Sequence, residues 1–210
     1  MGAAAQVILF GLLMMGLFSI ANDINKQMAE VITLPLNAVV VKGELGSGRD
    51  SENITRLIAN ANDIWEQANV SFEIKRISVT EVGSEKVLDV LGGYGAILTA
   101  IDGYDRNAVN MFFVKNMSFN GISFPKHLSV VMPDRTTNRE YVAAAHELGH
   151  IVGLNHNPEE RYLMYAVCNG TVISLAETLE ARNNAKKLLA GFNSNTMVLP
   201  PASVEFSVIS

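Results

Sequence analysis

The segment His146–His156, HELGHIVGLNH, contains three imidazoles and one carboxylate at spacings that suit a single zinc ion. On a helix, His146 and His150 are four residues apart, so their rings lie on one face and can meet at one point. Glu147 follows the first histidine, where its carboxylate can reach a metal-bound water as a general base without binding the metal. Gly153 can adopt a positive φ and turn the chain out of the helix, which returns His156 as the third ligand.

The full set of five positions is far more specific than a bare HExxH. With the His and Gly content of this chain, it would arise by accident on the order of once in 10⁵ such sequences. Three of the four histidines lie inside it. Three neutral imidazoles also leave a fourth coordination position for water, which is typical of catalytic zinc rather than structural zinc.

The segment resembles the extended zinc signature of the metzincin metallopeptidases, HExxHxxGxxH, which precedes a methionine-containing turn. Here Met164 lies eight residues after His156, and the triplet Leu163, Met164 and Tyr165 is similar to the Leu-Met-Tyr of the matrixin (matrix metalloproteinase-like) branch. The resemblance covers roughly residues 35 to 190. It implies a zinc-dependent endopeptidase in which Met164 forms an apolar floor beneath the histidines and Glu147 is the general base.

The same resemblance implies an α/β (α+β) fold: a twisted mixed sheet of about five strands, a zinc-bearing active-site helix and a C-terminal helix. In metzincins an edge strand above the metal binds an extended peptide through backbone pairing. Asn120, Gly121 and Ile122 are therefore candidates for substrate binding, although an edge strand without a ligand is the alternative. The segment 165–173, which begins with Tyr165, is expected to form a wall of the pocket for the side chain after the cleaved bond.

The sequence departs from the matrixin pattern at several points. Asn157 stands where matrixins usually have Ser, and only His127 lies outside the signature, so a second, His-rich zinc site cannot form. We therefore expect one zinc ion per chain, and nothing in the sequence supports calcium. Cys168, the only cysteine, follows the Met-turn and cannot act as a propeptide thiol; it either pairs between chains or is a small buried residue.

The pattern along the chain predicts alternating strands and helices. A capping box, formed by Thr137 and Glu140, is predicted to open the zinc helix, which runs to about Val152. The predicted strands cover residues 36–42, 70–82, 108–115, 121–124 and 128–132. Besides the zinc helix, the predicted helices cover residues 51–68, 85–91 and 174–189, and the last of them should end near Gly191.

The first 21 residues are expected to direct export. Residues 3–21 carry no charge, and Ser19 and Ala21 form the small-x-small pattern of a cleavage site, which favours a signal peptide. An uncleaved membrane anchor is the main alternative, and a buried helix is a third. The predicted organisation is a signal peptide or anchor (1–21), a short linker (22–33), the catalytic domain (34–191) and an irregular tail (192–210). The catalytic domain is thus expected to be secreted or extracytoplasmic.

Composition limits the partners of the chain. A formal charge of −5 and the absence of a basic cluster argue against nucleic acid, so a protein or peptide substrate is expected. We expect a monomer that contacts a membrane only if the N-terminal segment is not removed. Two other functions compete with the endopeptidase: a non-catalytic surface binding module that keeps zinc for folding, and a zinc amidase acting on a non-peptide substrate.

Overall fold

The computed structural model describes residues 28–194. The predicted export segment and residues 195–210 of the predicted tail lie outside this range. The chain divides into two units, residues 1–31 and residues 32–210, and every element named below belongs to the second.

The described residues form five strands and four α-helices, which alternate as far as the third strand; the fourth and fifth strands then follow, and the last two helices come at the end. Short 3₁₀ turns lie at Glu66–Ala68, Gly95–Ala100 and Pro125–His127. The strands are β1 (Ile32–Lys42), β2 (Val70–Glu81), β3 (Val109–Val114), β4 (Ile122–Phe124) and β5 (Ser129–Pro133). The helices are α1 (Ser51–Trp65), α2 (Ser84–Leu91), α3 (Glu140–Ile151) and α4 (Leu175–Ser194).

The strands form one mixed sheet in the order β2-β1-β3-β5-β4. β1 pairs in parallel with β2 and β3, and β3 pairs in parallel with β5. β4 lies antiparallel to β5 at the edge, with Ile122 opposite Val131. The prediction of a five-stranded mixed sheet with an active-site helix and a C-terminal helix is confirmed.

The two faces of the sheet support two separate hydrophobic clusters. Successive side chains of a strand point to opposite faces, so one strand can contribute to both clusters. In β3, Met111 and Phe113 belong to the larger cluster, which includes α1, α3 and α4, whereas Phe112 and Val114 belong to the smaller one beside α2. Because the central strands are covered on both faces, they consist of near-continuous apolar runs.

Helix α1 packs against the larger cluster and supports the helix with the zinc signature. Asp50 caps its N-terminus by accepting a hydrogen bond from the backbone N–H of Asn53 (2.8 Å). At its other end Trp65 is fully buried, and its Nε1 donates to the carbonyl of Ala145 in α3 (3.2 Å). The indole also meets the ring of Phe72 edge to face at 5.8 Å.

The predicted capping box at the start of α3 is wrong. The helix begins at Glu140, and its N-cap residue, Arg139, makes no side-chain capping hydrogen bond. Both partners of the expected box bind other groups: Thr137 donates its backbone N–H and its hydroxyl to Oδ1 of Asn120 (2.8 and 2.9 Å), and the carboxylate of Glu140 contacts Arg49 (2.7 Å). Tertiary contacts of Thr137 and Glu140 therefore replace the expected capping hydrogen bonds.

Two further differences concern element boundaries: β1 begins at Ile32, inside the predicted linker, and α4 extends to Ser194. Both are shifts at the ends of elements, where different assignments commonly differ. A third difference is the 3₁₀ turn at Gly95–Ala100, which was not predicted. Among residues 28–194, no helix is long and apolar enough to cross a membrane.

Replacing Trp65 with Phe should destabilise the domain by about 1–3 kcal/mol, because the variant loses the hydrogen bond to Ala145 and part of the buried volume. Urea denaturation followed by circular dichroism measures the change. Leu88→Ala is the control: this side chain is 59% exposed, so less than about 0.5 kcal/mol should be lost. Equal effects of the two substitutions would contradict the role assigned to Trp65.

Candidate metal centre

Helix α3 carries the first two histidines and the glutamate of the signature through the protein interior. His146 and Glu147 are completely buried, and His150 is 3% exposed. The preceding turn of the helix consists of Ala143, Ala144 and Ala145, which are also fully buried. Small side chains let a helix approach its neighbours closely, so these alanines allow α3 to lie deep in the larger cluster.

A turn after α3 brings the third histidine back to the first two. Gly153 has φ = 87°, the left-handed conformation that only glycine adopts without strain, and its N–H donates to the carbonyl of His150 (3.0 Å). The next residue, Leu154, donates to the carbonyl of Gly149 (2.9 Å). His156, half-buried, then lies beside the helix.

The three imidazoles form a compact triangle. Their ring centroids are 4.9 Å apart for His146 and His150, 4.9 Å for His150 and His156, and 5.3 Å for His146 and His156. One nitrogen of each ring lies within 4.8 Å of the others. Residues that are up to ten positions apart in the chain are thus brought together at one point.

Backbone carbonyls orient two of the rings. Nδ1 of His146 lies 2.8 Å from the carbonyl oxygen of Leu163, and Nδ1 of His150 lies 2.9 Å from that of Leu154. A carbonyl oxygen can only accept, so each Nδ1 carries the proton and donates it. The lone pair of Nε2 is then left for a metal ion. A hydrogen bond from the other ring nitrogen to a carbonyl is usual for histidines that bind metals.

Burial keeps His146 neutral. Its pKa is lowered from 6.5 to about 3, mainly by desolvation and to a smaller extent by the neighbouring His150 and His156, whereas the hydrogen bond to Leu163 acts in the opposite direction. A neutral imidazole is the form that binds a metal ion. His146 is thus already in the protonation state for binding at neutral pH.

Met164 lies directly against α3. It is fully buried, and a Cβ atom on Gly149 would overlap its Sδ. The turn around it is held by hydrogen bonds from Leu163 N to the carbonyl of Val172 (2.7 Å) and from Tyr165 N to the carbonyl of Tyr162 (3.0 Å). Met164 therefore packs on the helix between His146 and His150, while the residue before it orients the ring of His146.

Asn157, the departure from the matrixin pattern, joins three parts of the site. Its backbone N–H donates to the carbonyl of Met164 (2.7 Å), and its side-chain Nδ2 donates to Oε1 of Glu177 in α4 (3.0 Å). The segment that carries His156 is thereby tied both to the Met-turn and to the C-terminal helix.

The three residues predicted to bind substrate at the edge strand lie in three different environments. Gly121 lies against Glu147: a Cβ atom there would be 2.6 Å from Cγ of the glutamate. Ile122 is the first residue of β4, and its side chain is buried in the smaller cluster. Asn120 is only 4% exposed, and its side-chain oxygen binds Thr137, so this amide links β4 to the start of α3.

The predicted pocket wall also lies beside the metal centre. Tyr165 is half-buried. Cys168 is 1% exposed, and its Sγ lies within 4.8 Å of a ring nitrogen of His146 and a carboxylate oxygen of Glu147. The sequence indicated a small buried residue here but not its proximity to the glutamate, because no spacing rule relates positions 147 and 168.

The donor set fits zinc. Three histidine nitrogens that meet at one point, two of them on rings oriented by backbone carbonyls, are the ligand set of catalytic zinc sites, which keep a fourth position for water. His127, the fourth histidine, belongs to no group of potential metal ligands within residues 28–194. The only other group in this range shares His146 and Glu147 with the first and adds Cys168, so both describe one centre.

Comparison with solved structures supports the fold. One chain of a chaperone–substrate complex superposes with a TM-score of 0.56 at 13% identity, covering 77% of this chain and 35% of the other; this chain thus spans about a third of its length. A promirolysin mutant from Tannerella forsythia superposes with a TM-score of 0.52 at 12% sequence identity, and the match covers 88% of this chain and 94% of the other. Metalloproteinase-II from Bacteroides fragilis has a TM-score of 0.43 at 13% sequence identity, and the match covers 74% of this chain and 55% of the other. This TM-score is too low to bear on the fold.

At the sequence level, no curated protein matches the chain. The profile of the matrixin peptidases, however, matches residues 48–178, which is more than half of the chain and includes the three histidines and Met164. The fold, the triangle of histidines and the family profile together identify a metzincin-like protein related to the matrixins. The chain belongs to the matrixin family. The resemblance of the zinc signature and the Met-turn to that family is therefore confirmed.

The metal-free chain should lose stability as the pH falls below about 6.5, the pKa of an unfolded histidine. The folded state keeps His146 unprotonated down to about pH 3, so the unfolded state binds more protons between these limits, and the free energy of unfolding falls as pH is lowered. The loss is up to about 1.4 kcal/mol per pH unit. Urea denaturation at pH 7, 6 and 5 measures it, and His146→Gln should reduce the slope; the same slope in both proteins would refute the assignment.

Proposed function

We propose that the chain is a zinc-dependent endopeptidase in which Glu147 is the general base. The observation that supports this most strongly is the position of Glu147: completely buried, between two of the three histidines in the helix, and packed against Gly121 just before the edge strand. A non-catalytic zinc protein would need the histidines but would have no use for a carboxylate at this place.

When bound, zinc would lower the pKa of a coordinated water and polarise the substrate carbonyl. The proton is transferred by a residue of the chain itself, Glu147. The carboxylate of Glu147 accepts a proton from the water as it attacks the scissile carbonyl carbon, and then donates that proton to the amine nitrogen when the C–N bond breaks. His146 and His150 are held in position by the carbonyls of Leu163 and Leu154, and Met164 packs beneath them.

The edge strand β4 suits an extended peptide. One side of β4 pairs with β5, and no described strand pairs with its other side. Backbone groups at a free strand edge bind a peptide as an additional strand, whatever its sequence. A peptide bound this way continues in both directions past Glu147, which favours cleavage within a chain. Gly121, Ile122 and Tyr165 are the residues that we assign to substrate binding, whereas the amide of Asn120 has a positioning role.

We also propose that the domain acts outside the cytoplasm. The support comes from the sequence: the uncharged residues 3–21 and the small residues Ser19 and Ala21. N-terminal sequencing of the exported protein decides between cleavage after Ala21 and an uncleaved anchor.

Glu147→Gln should lower kcat/KM for peptide cleavage by about 10²–10⁴-fold, the usual contribution of a general base. The amide has the same shape as the carboxylate, so the variant should still bind one zinc ion per chain, which metal analysis checks. Glu52→Gln, the same change on the exposed surface of α1, is the control and should cleave like the parent.

Unchanged cleavage by zinc-loaded Glu147→Gln would exclude Glu147 as the base. If the parent bound peptides tightly without cleaving them, the non-catalytic binding module would be favoured. Release of an amine from a non-peptide amide alone, detected by mass spectrometry of products, would identify an amidase.

Gly121→Ala should lower kcat/KM by roughly 10–100-fold with zinc content unchanged, because the new methyl group would displace either Glu147 or the start of β4. Gly83→Ala is a matched control: a Cβ atom at Gly83 meets nothing within 4 Å. Full activity of Gly121→Ala would show that the close approach of β4 to Glu147 is irrelevant to catalysis.

A further inference from the structure

A cavity away from the residues of the metal centre has several arginines in its lining. It has a volume of about 490 Å³ and lies between α1, the loop before α3 and the first turn of α3. Four of its lining residues are Arg49, Arg56, Arg135 and Arg139, and the only acidic one is Glu140. None of the histidines of the signature lines it. A cationic cavity is unexpected in a chain whose formal charge is −5.

Arg49 is a fixed cation within this cavity. Its side chain is 6% exposed, and its guanidinium lies over the ring of Phe113. Nη2 donates to the carbonyls of Pro133 and Asp134 (2.9 and 3.0 Å) and contacts the carboxylate of Glu140 (2.7 Å). Nε is buried without a hydrogen bond, 3.7 Å from Asp134, and Nη1 donates to no described residue. Several of its five N–H donors thus remain unused.

The N-terminus of α3 adds a second source of positive potential. Residues 138–141 line the cavity, and no side chain caps the first turn of this 12-residue helix. The uncapped N–H groups and the helix dipole favour an anion at this end. The helix N-terminus and the arginines are independent features, and both favour an anionic ligand.

Nearby carboxylates neutralise only part of this charge. Glu140 and Asp134 contact Arg49, and Glu52 lies 3.9 Å from Arg56 in an exposed pair that is screened by solvent. Arg135 and Arg139 are exposed at the cavity and contact no carboxylate among the described residues. The guanidinium of Arg135 thus contacts no described carboxylate at the rim, and that of Arg139 lies over the ring of Tyr141 and donates to its hydroxyl (3.0 Å) but keeps further N–H groups.

We propose that this arginine cavity binds a tetrahedral oxyanion, a sulfate or phosphate group. Guanidinium groups and a helix N-terminus both bind such groups, and donors placed on several walls of one cavity suit a tetrahedral anion better than a planar carboxylate. The volume exceeds that of a single anion, so a sulfate or phosphate ester fits as well as the free ion. The site is independent of the proposed peptidase function.

Thermal unfolding of the zinc-loaded full chain tests the proposal, with inorganic sulfate and phenyl sulfate as probes and sodium chloride at matched ionic strength as reference. A ligand that binds the folded state raises the midpoint in a saturable way. We expect a rise of about 2–4 °C for the parent. A larger effect of phenyl sulfate at equal concentration would identify an ester as the preferred ligand, and equal effects would identify the free anion.

The double variant Arg135→Gln/Arg139→Gln should abolish the saturable rise while leaving peptide cleavage unchanged. Both side chains are exposed, so the fold should be retained, which circular dichroism checks. Lys86→Gln/Arg106→Gln removes the same charge from exposed positions elsewhere and should respond like the parent. The proposal is overturned if sulfate acts no better than chloride on the parent, or if the two double variants respond alike.

Discussion

The structure depends on one constraint: a helix that carries two histidines and a glutamate passes through a hydrophobic core. Polar groups in such surroundings must have partners, because burial without a hydrogen bond costs several kcal/mol. The carbonyls of Leu163 and Leu154 supply partners for His146 and His150. These carbonyls belong to the Met-turn and to the turn after α3, so both turns must return to the helix. The path of the chain from 152 to 165 follows from this requirement.

Close packing around α3 explains the small residues near the site. Gly149 leaves space for Met164, and Gly121 leaves space for Glu147; in each case a single methyl group would overlap the neighbouring side chain. The three alanines before His146 serve the same purpose on the turn that faces α1, where Trp65 donates to the carbonyl of Ala145. A change of one carbon at these positions would thus alter the site itself, because close-packed interiors transmit strain.

The amides of Asn120 and Asn157 show how the site is joined to the rest of the fold. Asn120 connects the edge strand to the loop before α3, and Asn157 connects the segment of His156 to Met164 and to Glu177 of α4. The side-chain amide accepts at Asn120 and donates to Glu177 at Asn157, because an amide can do both, whereas the bond from Asn157 to Met164 is made by the backbone N–H. Asn157 departs from the matrixin pattern, yet it occupies a structural joint, so the difference from serine concerns how the third histidine is held.

The sequence by itself determined the features that depend on local spacing. The shared face of the i, i+4 histidines and the apolar strand segments follow from backbone periodicity, the positive φ of Gly153 follows from the absence of a side chain, and the structure agrees with each. Only the tertiary structure decided which groups meet across long separations. Thr137 binds Asn120 instead of capping α3, Cys168 lies beside Glu147, and Arg49 lies in one cavity with Arg139. These contacts join residues that are 17 to 90 positions apart, and no periodic rule relates such positions, because packing alone brings them together.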